Sequence, residues 1–320
     1  MKTKKRILLT GGAGFIGSNL TKKLLESNQY HITSLDNFDD FYSRKQKEIS
    51  IEKFHSNNNY TFFEGDIRSQ DDLSKIGKID VILHLAAKAG VRPSIKNPRL
   101  YQDVNVSGTQ NLLEFARERE IKQFVFASSS SVYGVNENVP WEEEEKLLPI
   151  SPYASTKLSG EMLGHVYSHL YGIRFLALRF FTVYGPGQRP DLAIHKFFKS
   201  IIDGNPIPVY GDGSTSRDYT FVEDTVKGIE AAINYEGSGF EIINLGNHQT
   251  ITLKDLIKSI ENVIGKSALI ERLPEQPGDV RHTYANISKA KSLLNYYPDT
   301  DFNSGLRKFY DWYLENQSKI

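Results

Sequence analysis

The 320-residue chain contains no cysteine, which excludes disulfides, thiolate metal sites and cysteine nucleophiles together. Its eight histidines are scattered without the spacing of metal ligands, so we expect no metal centre. Lysine plus arginine equals aspartate plus glutamate, at 39 each, so no overall field favours nucleic acid or an anionic membrane. No stretch resembles a signal peptide or an apolar run long enough to span a bilayer. These absences predict a cytoplasmic protein of enzyme size.

The first informative motif lies near the N-terminus. An apolar run at residues 6–10 predicts a buried strand, and the glycine-rich segment 11–17 follows it directly. Glycines permit a tight turn and let the backbone approach a pyrophosphate at the N-terminus of the next helix. A second strand, at 31–35, ends at Asp36, near the offset of about 20 residues expected of an acid that binds the adenosine ribose. The motif predicts NAD, because a carboxylate at position 36 would repel the 2′-phosphate of NADP.

Strands alternate with helices through the first half of the chain. Further apolar runs at 60–64, 80–85, 122–127 and 174–179 are separated by helical stretches. This alternation predicts an α/β fold with a Rossmann-type, doubly wound parallel sheet. Ligands of such sheets bind beyond the carboxyl ends of the strands.

A tyrosine and a lysine four residues apart, Tyr153 and Lys157, mark the start of a predicted helix. Ser151 suits its N-cap and Pro152 its first position. Residues i and i+4 share a helix face, so the phenol and the ammonium converge on one small volume. A nearby cation lowers the pKa of a phenol, which suits proton transfer from an alcohol. An isolated pair of this kind is more often structural, but the upstream dinucleotide motif favours catalysis.

The serine run 128–131 follows the predicted strand 122–127. Serine-rich segments are commonly flexible polar loops. A hydroxyl at the carboxyl end of a central strand can instead donate a hydrogen bond to a substrate oxygen beside Tyr153. The position of the run, at the expected cofactor face, favours the second interpretation.

Together these residues resemble the extended short-chain dehydrogenase/reductase superfamily over nearly the whole chain. Its signature Thr-Gly-x-x-Gly-x-x-Gly begins here at Thr10, and its catalytic set is matched by Ser129, Tyr153 and Lys157. The resemblance implies NAD as the cofactor. The implied cofactor-binding residues are Gly11, Gly14, Phe15, Ile16, Gly17, Asp36, Asn37, Asp66, Ile67, Leu85, Ala86, Ala87, Asn105 and Lys157.

Within that superfamily the chain is most similar to nucleotide-sugar 4-epimerases, and among them to UDP-glucuronate 4-epimerases. Segments 84–92 and 179–193 carry this narrower resemblance. One departure is Lys88, where relatives usually carry glutamine, and a cation near the sugar is able to alter substrate preference.

The resemblance also implies a smaller α/β lobe that binds the nucleotide sugar. Segment 206–219 resembles the part of the family that lines the uracil and brings an arginine to the diphosphate, and segment 276–282 resembles a loop that closes on the uridine diphosphate. Any single arginine is more often solvated surface. The implied substrate-binding residues are Ser130, Ser131, Thr182, Arg189, Ala193, Val209, Tyr210, Arg217, Asp279 and Arg281.

The predicted domains are discontinuous. Residues 1–180 plus about 221–249 form the NAD-binding domain, and 181–220 plus about 250–320 form the UDP-sugar-binding lobe.

The implied reaction is C4 epimerisation of a UDP-sugar, foremost UDP-glucuronate to UDP-galacturonate, through a transient 4-keto sugar. Sugar dehydratases need an acid pair after the catalytic hydroxyl, and decarboxylating relatives carry a glutamate there. This chain has Ser130 and Ser131 at those positions. The alternatives are a 4-epimerase of UDP-glucose or UDP-N-acetylglucosamine and, less favoured, a dehydratase, a decarboxylase or a non-catalytic NAD-binding regulator. Such regulators usually lack the tyrosine and lysine pair.

Two further expectations concern the sugar and the assembly. We expect the Arg189 guanidinium to grip the C6 carboxylate of a uronic acid, with Thr182 and the serine run completing its hydrogen bonds; the alternative is a solvated arginine packed on Pro190. Relatives pair helices over 98–119 and 152–170 into an intermolecular four-helix bundle, which implies a homodimer. The apolar residues at helical spacing in these segments are Leu112, Phe115, Ala116, Leu158, Met162, His165 and Val166.

Overall fold

The computed structural model describes residues 3–274 and 280–319 of the chain. The strands are β1 (Lys5–Thr10), β2 (Tyr30–Asp36), β3 (Tyr60–Glu64), β4 (Val81–His84), β5 (Gln123–Ser129), β6 (Arg174–Phe180), β7 (Thr182–Tyr184), β8 (Ile207–Tyr210), β9 (Ser216–Arg217), β10 (Tyr219–Phe221), β11 (Phe240–Leu245), β12 (Ile251–Thr252) and β13 (Ile270–Leu273). The helices are α1 (Phe15–Ser27), α2 (Arg44–Glu52), α3 (Gln70–Ser74), α4 (Val91–Lys96), α5 (Pro98–Tyr101), α6 (Gly108–Glu118), α7 (Pro152–Tyr171), α8 (Ala193–Asp203), α9 (Val222–Ile233), α10 (Leu253–Ile264), α11 (Ser288–Leu294) and α12 (Phe302–Asn316). A π-helical segment, Gln102–Ser107, joins α5 to α6, and a 3-10 turn, Ser130–Tyr133, follows β5.

Seven of these strands form one sheet in the order β11-β6-β5-β4-β1-β2-β3. Every neighbouring pair in it is parallel. The order reverses between β1 and β4, so a crevice opens where the loops beyond their carboxyl ends diverge. The predicted doubly wound α/β fold is confirmed.

The sheet is buried on both faces because its strands are apolar at consecutive positions. In β1, Ile7 and Leu9 point into one core and Leu8 into the other, as the two-residue repeat of a strand requires. Helices α1 and α9 cover the first face, and α6 and α7 cover the second. Each fully buried aliphatic side chain stabilises the fold by about 1.5–3 kcal/mol relative to an exposed one.

The chain leaves the sheet after β6 and returns to it with β11, which pairs with β6 from Phe240 opposite Phe175 to Leu245 opposite Phe180. Other segments beyond β6 build a third core, in which α8, α10 and α12 pack around Phe198, Ile260 and Phe309. Short strand pairs, β7 with β10, β9 with β12 and β8 with β13, lie outside the large sheet.

A buried ion pair joins α7 to the sheet. Arg179 of β6 is 1% exposed and Glu161 of α7 is 0% exposed, and the guanidinium donates from Nε and Nη2 to the two carboxylate oxygens at 2.9 and 2.8 Å. Its Nη1 donates to the Tyr133 hydroxyl at 2.9 Å, and the Ser128 hydroxyl donates to Glu161. Such a pair adds little net stability, but breaking it by removing one partner costs about 3–5 kcal/mol. It therefore specifies how α7 sits on β5 and β6.

The two helices expected at a dimer interface differ in what they expose. Leu112, Phe115 and Ala116 of α6 are buried against the chain's own sheet, so the expectation that they form an intermolecular surface is wrong. On α7, Met162 and Val166 are 49% and 45% exposed. The exposed apolar face therefore comes from α7.

Within the described residues, no helix combines the length and the apolar character needed to cross a membrane.

Candidate active site

The glycine turn between β1 and α1 forms the floor of a cleft at the carboxyl edge of the sheet. Gly11 has φ +72°, and a Cβ at this position would lie 2.7 Å from the Ala86 nitrogen. A Cβ at Gly17 would lie 2.3 Å from the Gly11 oxygen. Helix α1 starts after Gly14 with no side-chain cap, so the N–H groups of its first turn remain available for an anion. The turn is thus a cradle that side chains would fill and a diphosphate fits.

Asp36 ends β2 beside this turn. Its carboxylate accepts hydrogen bonds from the Ala13 nitrogen at 3.0 Å and the Phe38 nitrogen at 2.9 Å. Burial raises the pKa of Asp36, although both hydrogen bonds act in the opposite direction. Next to it, the Asn37 amide donates to Asp66 at 2.9 Å. The polar groups that follow β2 and β3 therefore meet at one end of the cleft.

The cleft has a volume of about 220 Å³ and is lined by every predicted cofactor-binding residue except Asn105. It is also lined by Lys88, which the sequence analysis placed near the sugar, and by residues that the sequence analysis missed, namely Asp39, Phe41, Tyr42 and Lys47. Most of them follow the carboxyl end of β2 or β4, which is where ligands of such sheets bind. The rule that ligands bind beyond the carboxyl ends of the strands could have identified these residues from the sequence.

Asn105 lies behind the cleft wall. Its Oδ1 accepts from the Lys88 nitrogen at 2.7 Å, and its Nδ2 donates to the Lys88 oxygen at 3.1 Å and to the Thr156 hydroxyl at 3.0 Å. The side chain is buried. Asn105 therefore holds the loop that follows β4, and the cofactor contact predicted for it stays a prediction.

Tyr153 and Lys157 lie on the first turns of α7, as predicted, and both line the cleft. The Lys157 Nζ donates to the Ala127 oxygen at 2.7 Å and lies 5.9 Å from the centre of the Tyr153 ring. Burial lowers the pKa of Lys157 to about 7, and the nearby Glu161 carboxylate offsets part of that effect.

The phenol of Tyr153 has a raised pKa because it is buried. A hydrogen bond with Ser129 and the positive charge of Arg189 both lower this pKa again. The sequence analysis assigned that effect to Lys157, and this role of Lys157 stays a prediction. Without ligands, the phenol is therefore neutral near pH 7, and the lysine is only partly charged.

Ser129 ends β5 and sits among other hydroxyls. Its Oγ accepts hydrogen bonds from the Ser131 nitrogen at 3.2 Å and the Ser131 hydroxyl at 2.9 Å. The 3-10 turn at 130–133 follows directly, so the serine run is an ordered strand end and turn. It presents hydroxyls beside Tyr153 and contains no carboxylate.

Arg189 reaches the same place from the segment before α8. Its Nε and Nη2 donate to the two oxygens of Asp191 at 2.8 and 2.9 Å, and its guanidinium lies 5.4 Å from the centre of the Phe41 ring. One bidentate face of the guanidinium is thus already matched by a carboxylate. The Nη1 group and the second Nη2 hydrogen form another bidentate face.

Of the predicted substrate residues that the structure describes, only Arg189 lines this cleft. Val209 is buried in the third core, and Tyr210 lies under the Arg92 guanidinium at 5.0 Å. The Arg217 Nη1 donates to the Arg281 oxygen at 3.2 Å, so these two arginines are neighbours. Other predicted residues stay outside the cleft, namely Ser130 and Ser131 in the 3-10 turn, Thr182 at the start of β7 and Ala193 at the start of α8. Asp279 lies outside the described residues.

A comparison with known families identifies the chain. The sequence profile of the family described as GDP-mannose 4,6 dehydratase matches residues 8–309. The chain belongs to the GDP-mannose 4,6 dehydratase family.

Individual relatives and structural neighbours of the chain carry more specific names. A UDP-glucuronate 4-epimerase of Thermodesulfobacterium geofontis is 40% identical over 97% of this chain and 96% of its own length. The crystal structure of a UDP-glucuronic acid 4-epimerase from Bacillus cereus, in complex with UDP-glucuronic acid and NAD, superposes with a TM-score of 0.93 at 38% identity, covering 97% of this chain and 99% of that one. A UDP-N-acetylglucosamine 4-epimerase from Methanobrevibacter ruminantium superposes with a TM-score of 0.90 at 31% identity, covering 98% and 99%. The predicted resemblance to nucleotide-sugar 4-epimerases is confirmed.

Burial of the Lys157 ammonium predicts how the stability of the fold depends on pH. The unfolded chain keeps this proton up to a pKa near 10.5, whereas the folded chain releases it near 7. The unfolded state therefore binds more protons between these pH values, and the stability of the wild type rises with pH across that window. We expect Lys157→Met to abolish turnover and to raise the free energy of unfolding at pH 6.5 by about 1 kcal/mol or more, with the gain shrinking towards pH 9.5.

Thermal unfolding followed by circular dichroism at both pH values measures this effect. Lys199→Met, at an exposed site on α8 paired with Asp203, is the control and should show no such dependence. A Lys157→Met protein that is less stable than the wild type at pH 6.5 would contradict a buried lysine with a lowered pKa.

Proposed function

We propose that the chain interconverts UDP-glucuronate and UDP-galacturonate. The coarser activity is NAD-dependent 4-epimerisation of a UDP-sugar, which makes the chain an isomerase. The observation that carries it is the convergence of Tyr153 and Arg189 in the lining of a cleft whose floor is a glycine cradle, with Ser129 hydrogen-bonded to the Tyr153 phenol. We also propose a role for each domain. Residues 1–180 with about 221–249 hold the cofactor, and 181–220 with about 250–320 hold the nucleotide sugar.

The cleft residues fit NAD. The Gly11 and Gly17 positions leave room for a diphosphate against the first turn of α1, and Asp36 lies where an adenosine ribose would meet it. Lys157 lies deeper in the cleft, where it can hold the nicotinamide ribose. When bound, NAD supplies a reversible hydride acceptor for C4 of the sugar.

Side chains of the protein transfer the proton of the sugar 4-hydroxyl. Tyr153 takes the proton of the sugar 4-hydroxyl and returns it, and Ser129 hydrogen-bonds the same oxygen. Arg189 lowers the pKa of the phenol, which favours the proton-accepting form. Positioned acid–base catalysis of this kind accelerates a reaction about 10²–10⁴-fold. If the hydride returned from NAD to the opposite face of the 4-keto sugar, C4 would be inverted, and Tyr153 would return the proton to the C4 oxygen.

Arg189 is the residue that favours a uronate as the substrate. Its remaining bidentate face can take a second carboxylate while Asp191 keeps the guanidinium in place. A charge-assisted contact of this kind contributes about 1.5–3 kcal/mol. The names of the Thermodesulfobacterium and Bacillus relatives support the same substrate.

A neutral or N-acetylated UDP-sugar is the second candidate. The observation in its favour is that Asp191 already neutralises Arg189 in this structure, so the site does not need a second anion. The Methanobrevibacter neighbour, named for UDP-N-acetylglucosamine, shares the same fold. Dehydration is disfavoured because Ser130 and Ser131 stand where an acid pair would be needed.

A panel of UDP-sugars tests the reaction. We expect the wild type to invert C4 of UDP-glucuronate without added NAD, because the cofactor stays bound through a closed redox cycle. NMR of the product gives the configuration at C4. Tyr153→Phe is the control, since it removes the proton acceptor with little change in volume and should lower turnover by about 10²-fold or more. Near-normal turnover in Tyr153→Phe, or no C4 inversion of any UDP-sugar by the wild type, would overturn the proposal.

A second experiment separates the two substrate classes. Arg189→Ala should raise the pKa of Tyr153 and therefore slow the reaction of both sugars. It should also reduce kcat/KM for UDP-glucuronate by a further factor of about 10–100 relative to UDP-glucose. Arg217 is at the position proposed to contact the diphosphate of the UDP-sugar. Arg217→Ala should therefore lower kcat/KM for both sugars by the same factor. Equal losses in Arg189→Ala, or a wild type that prefers a neutral sugar, would favour the second candidate.

We propose that the protein assembles as a homodimer through α7. Met162, Val166 and Leu170 are 49%, 45% and 61% exposed at a spacing of four residues, which makes a stripe along one helix face. A second copy of the same stripe across a two-fold axis buries it.

Light scattering at micromolar concentration measures the mass, and a dimer is expected. Val166→Glu should shift the mass to that of a monomer because it places two like charges across the axis. Lys199→Glu, on α8, should leave the dimer intact. A monomeric wild type would contradict the proposal.

A further inference from the structure

An ion pair crosses the mouth of the cofactor cleft. The Lys88 Nζ lies 2.7 and 2.8 Å from the two oxygens of Asp39. The lysine side chain is 12% exposed and the aspartate 31%, so water screens the pair less than it screens a pair on the open surface. Both side chains line the cleft.

The lysine end of this pair is held rigidly. The backbone of Lys88 is gripped on both sides by the Asn105 amide, which accepts from its nitrogen at 2.7 Å and donates to its oxygen at 3.1 Å. The next residue is held by the Tyr101 hydroxyl, which donates to the Ala89 oxygen at 2.6 Å. Asn105 is in turn tied to Thr156, on the helix that carries Tyr153.

The aspartate end is also anchored. Asp39 lies in the loop between β2 and α2, and its carboxylate accepts from the Phe41 nitrogen at 3.0 Å. The Lys47 ammonium of α2 donates to the Asp39 main-chain oxygen. The two charges are therefore presented by loops that are each fixed to a helix.

Strand order determines what the pair crosses. In the sheet, β1 lies between β4 and β2. Lys88 follows β4 and Asp39 follows β2, so a bond between their side chains passes over the glycine turn that follows β1. That turn, with Gly11 and Gly14, is the place where a diphosphate would lie.

We propose that the Lys88–Asp39 pair is a strap that closes over the diphosphate of the bound dinucleotide and slows its escape. This inference rests on the proposed function, because a 4-epimerase uses the same cofactor molecule in every turnover and gains from retaining it.

Dissociation of NAD measures the strap directly. The purified protein is loaded with NAD labelled in its adenine ring and chased with unlabelled NAD, and the retained label is followed by rapid gel filtration. We expect Lys88→Gln and Asp39→Asn each to speed release about three- to tenfold, the range of a partly buried ion pair. The double variant should release NAD no faster than Lys88→Gln, because Lys88→Gln alone already removes the ion pair with Asp39.

Controls separate the possible outcomes. Lys199→Gln removes an exposed pair far from the cleft and should leave the release rate unchanged. Unchanged release in Lys88→Gln would overturn the strap. Slower release in Asp39→Asn would also overturn it, because loss of the Asp39 charge must loosen the strap. In that variant Lys88 would keep its 3.7 Å ion pair with Asp40. A wild type that retains no label would instead refute the proposed NAD-dependent function itself. Melting temperatures close to that of the wild type show that the variants are folded.

Discussion

The catalytic end of this fold depends on the buried pair of Arg179 and Glu161. It joins β6 to α7, and through Ser128 it fixes the end of β5 that carries Ser129. Removing either partner would leave an uncompensated charge in the core. The Glu161 carboxylate lies one helical turn from Lys157 and offsets part of the effect of burial on the pKa of the lysine. The pair that orders the site therefore also affects the protonation of Lys157.

Burying the ionisable groups of the site lowers the stability of the folded chain. Burial pushes Tyr153 and Lys157 towards their neutral forms, whereas proton transfer from a sugar hydroxyl needs a phenol with a lowered pKa. Arg189 and Ser129 supply part of that lowering, and Asp191 holds Arg189 in position. Groups with strongly perturbed pKa values that converge in a cleft are typical of active sites. The arrangement favours catalysis over the structural alternative for each of these residues.

Much of the fold and the cleft could be predicted because the signals are local. The glycine turn, Asp36 and the Tyr153–Lys157 spacing each depend on a few neighbouring residues and on the periodicity of one strand or helix. What could not be predicted depends on segments far apart in sequence. The electrostatic effect of Arg189 on Tyr153, the Lys88–Asp39 pair and the role of Asn105 arise only when segments that are separate in sequence meet. Helix α6 shows a related limit, since its apolar spacing does not reveal whether the chain's own sheet or a partner covers it.

The fate of the hydrogen on C4 tests the central claim most directly. UDP-glucuronate labelled with deuterium at C4 is incubated with the purified protein in ordinary water, without added NAD, and the product is analysed by NMR and mass spectrometry. A closed redox cycle within one cleft returns the same hydrogen to the opposite face, so the C4 epimer should keep its deuterium at C4. Loss of the deuterium to water during inversion would contradict the account.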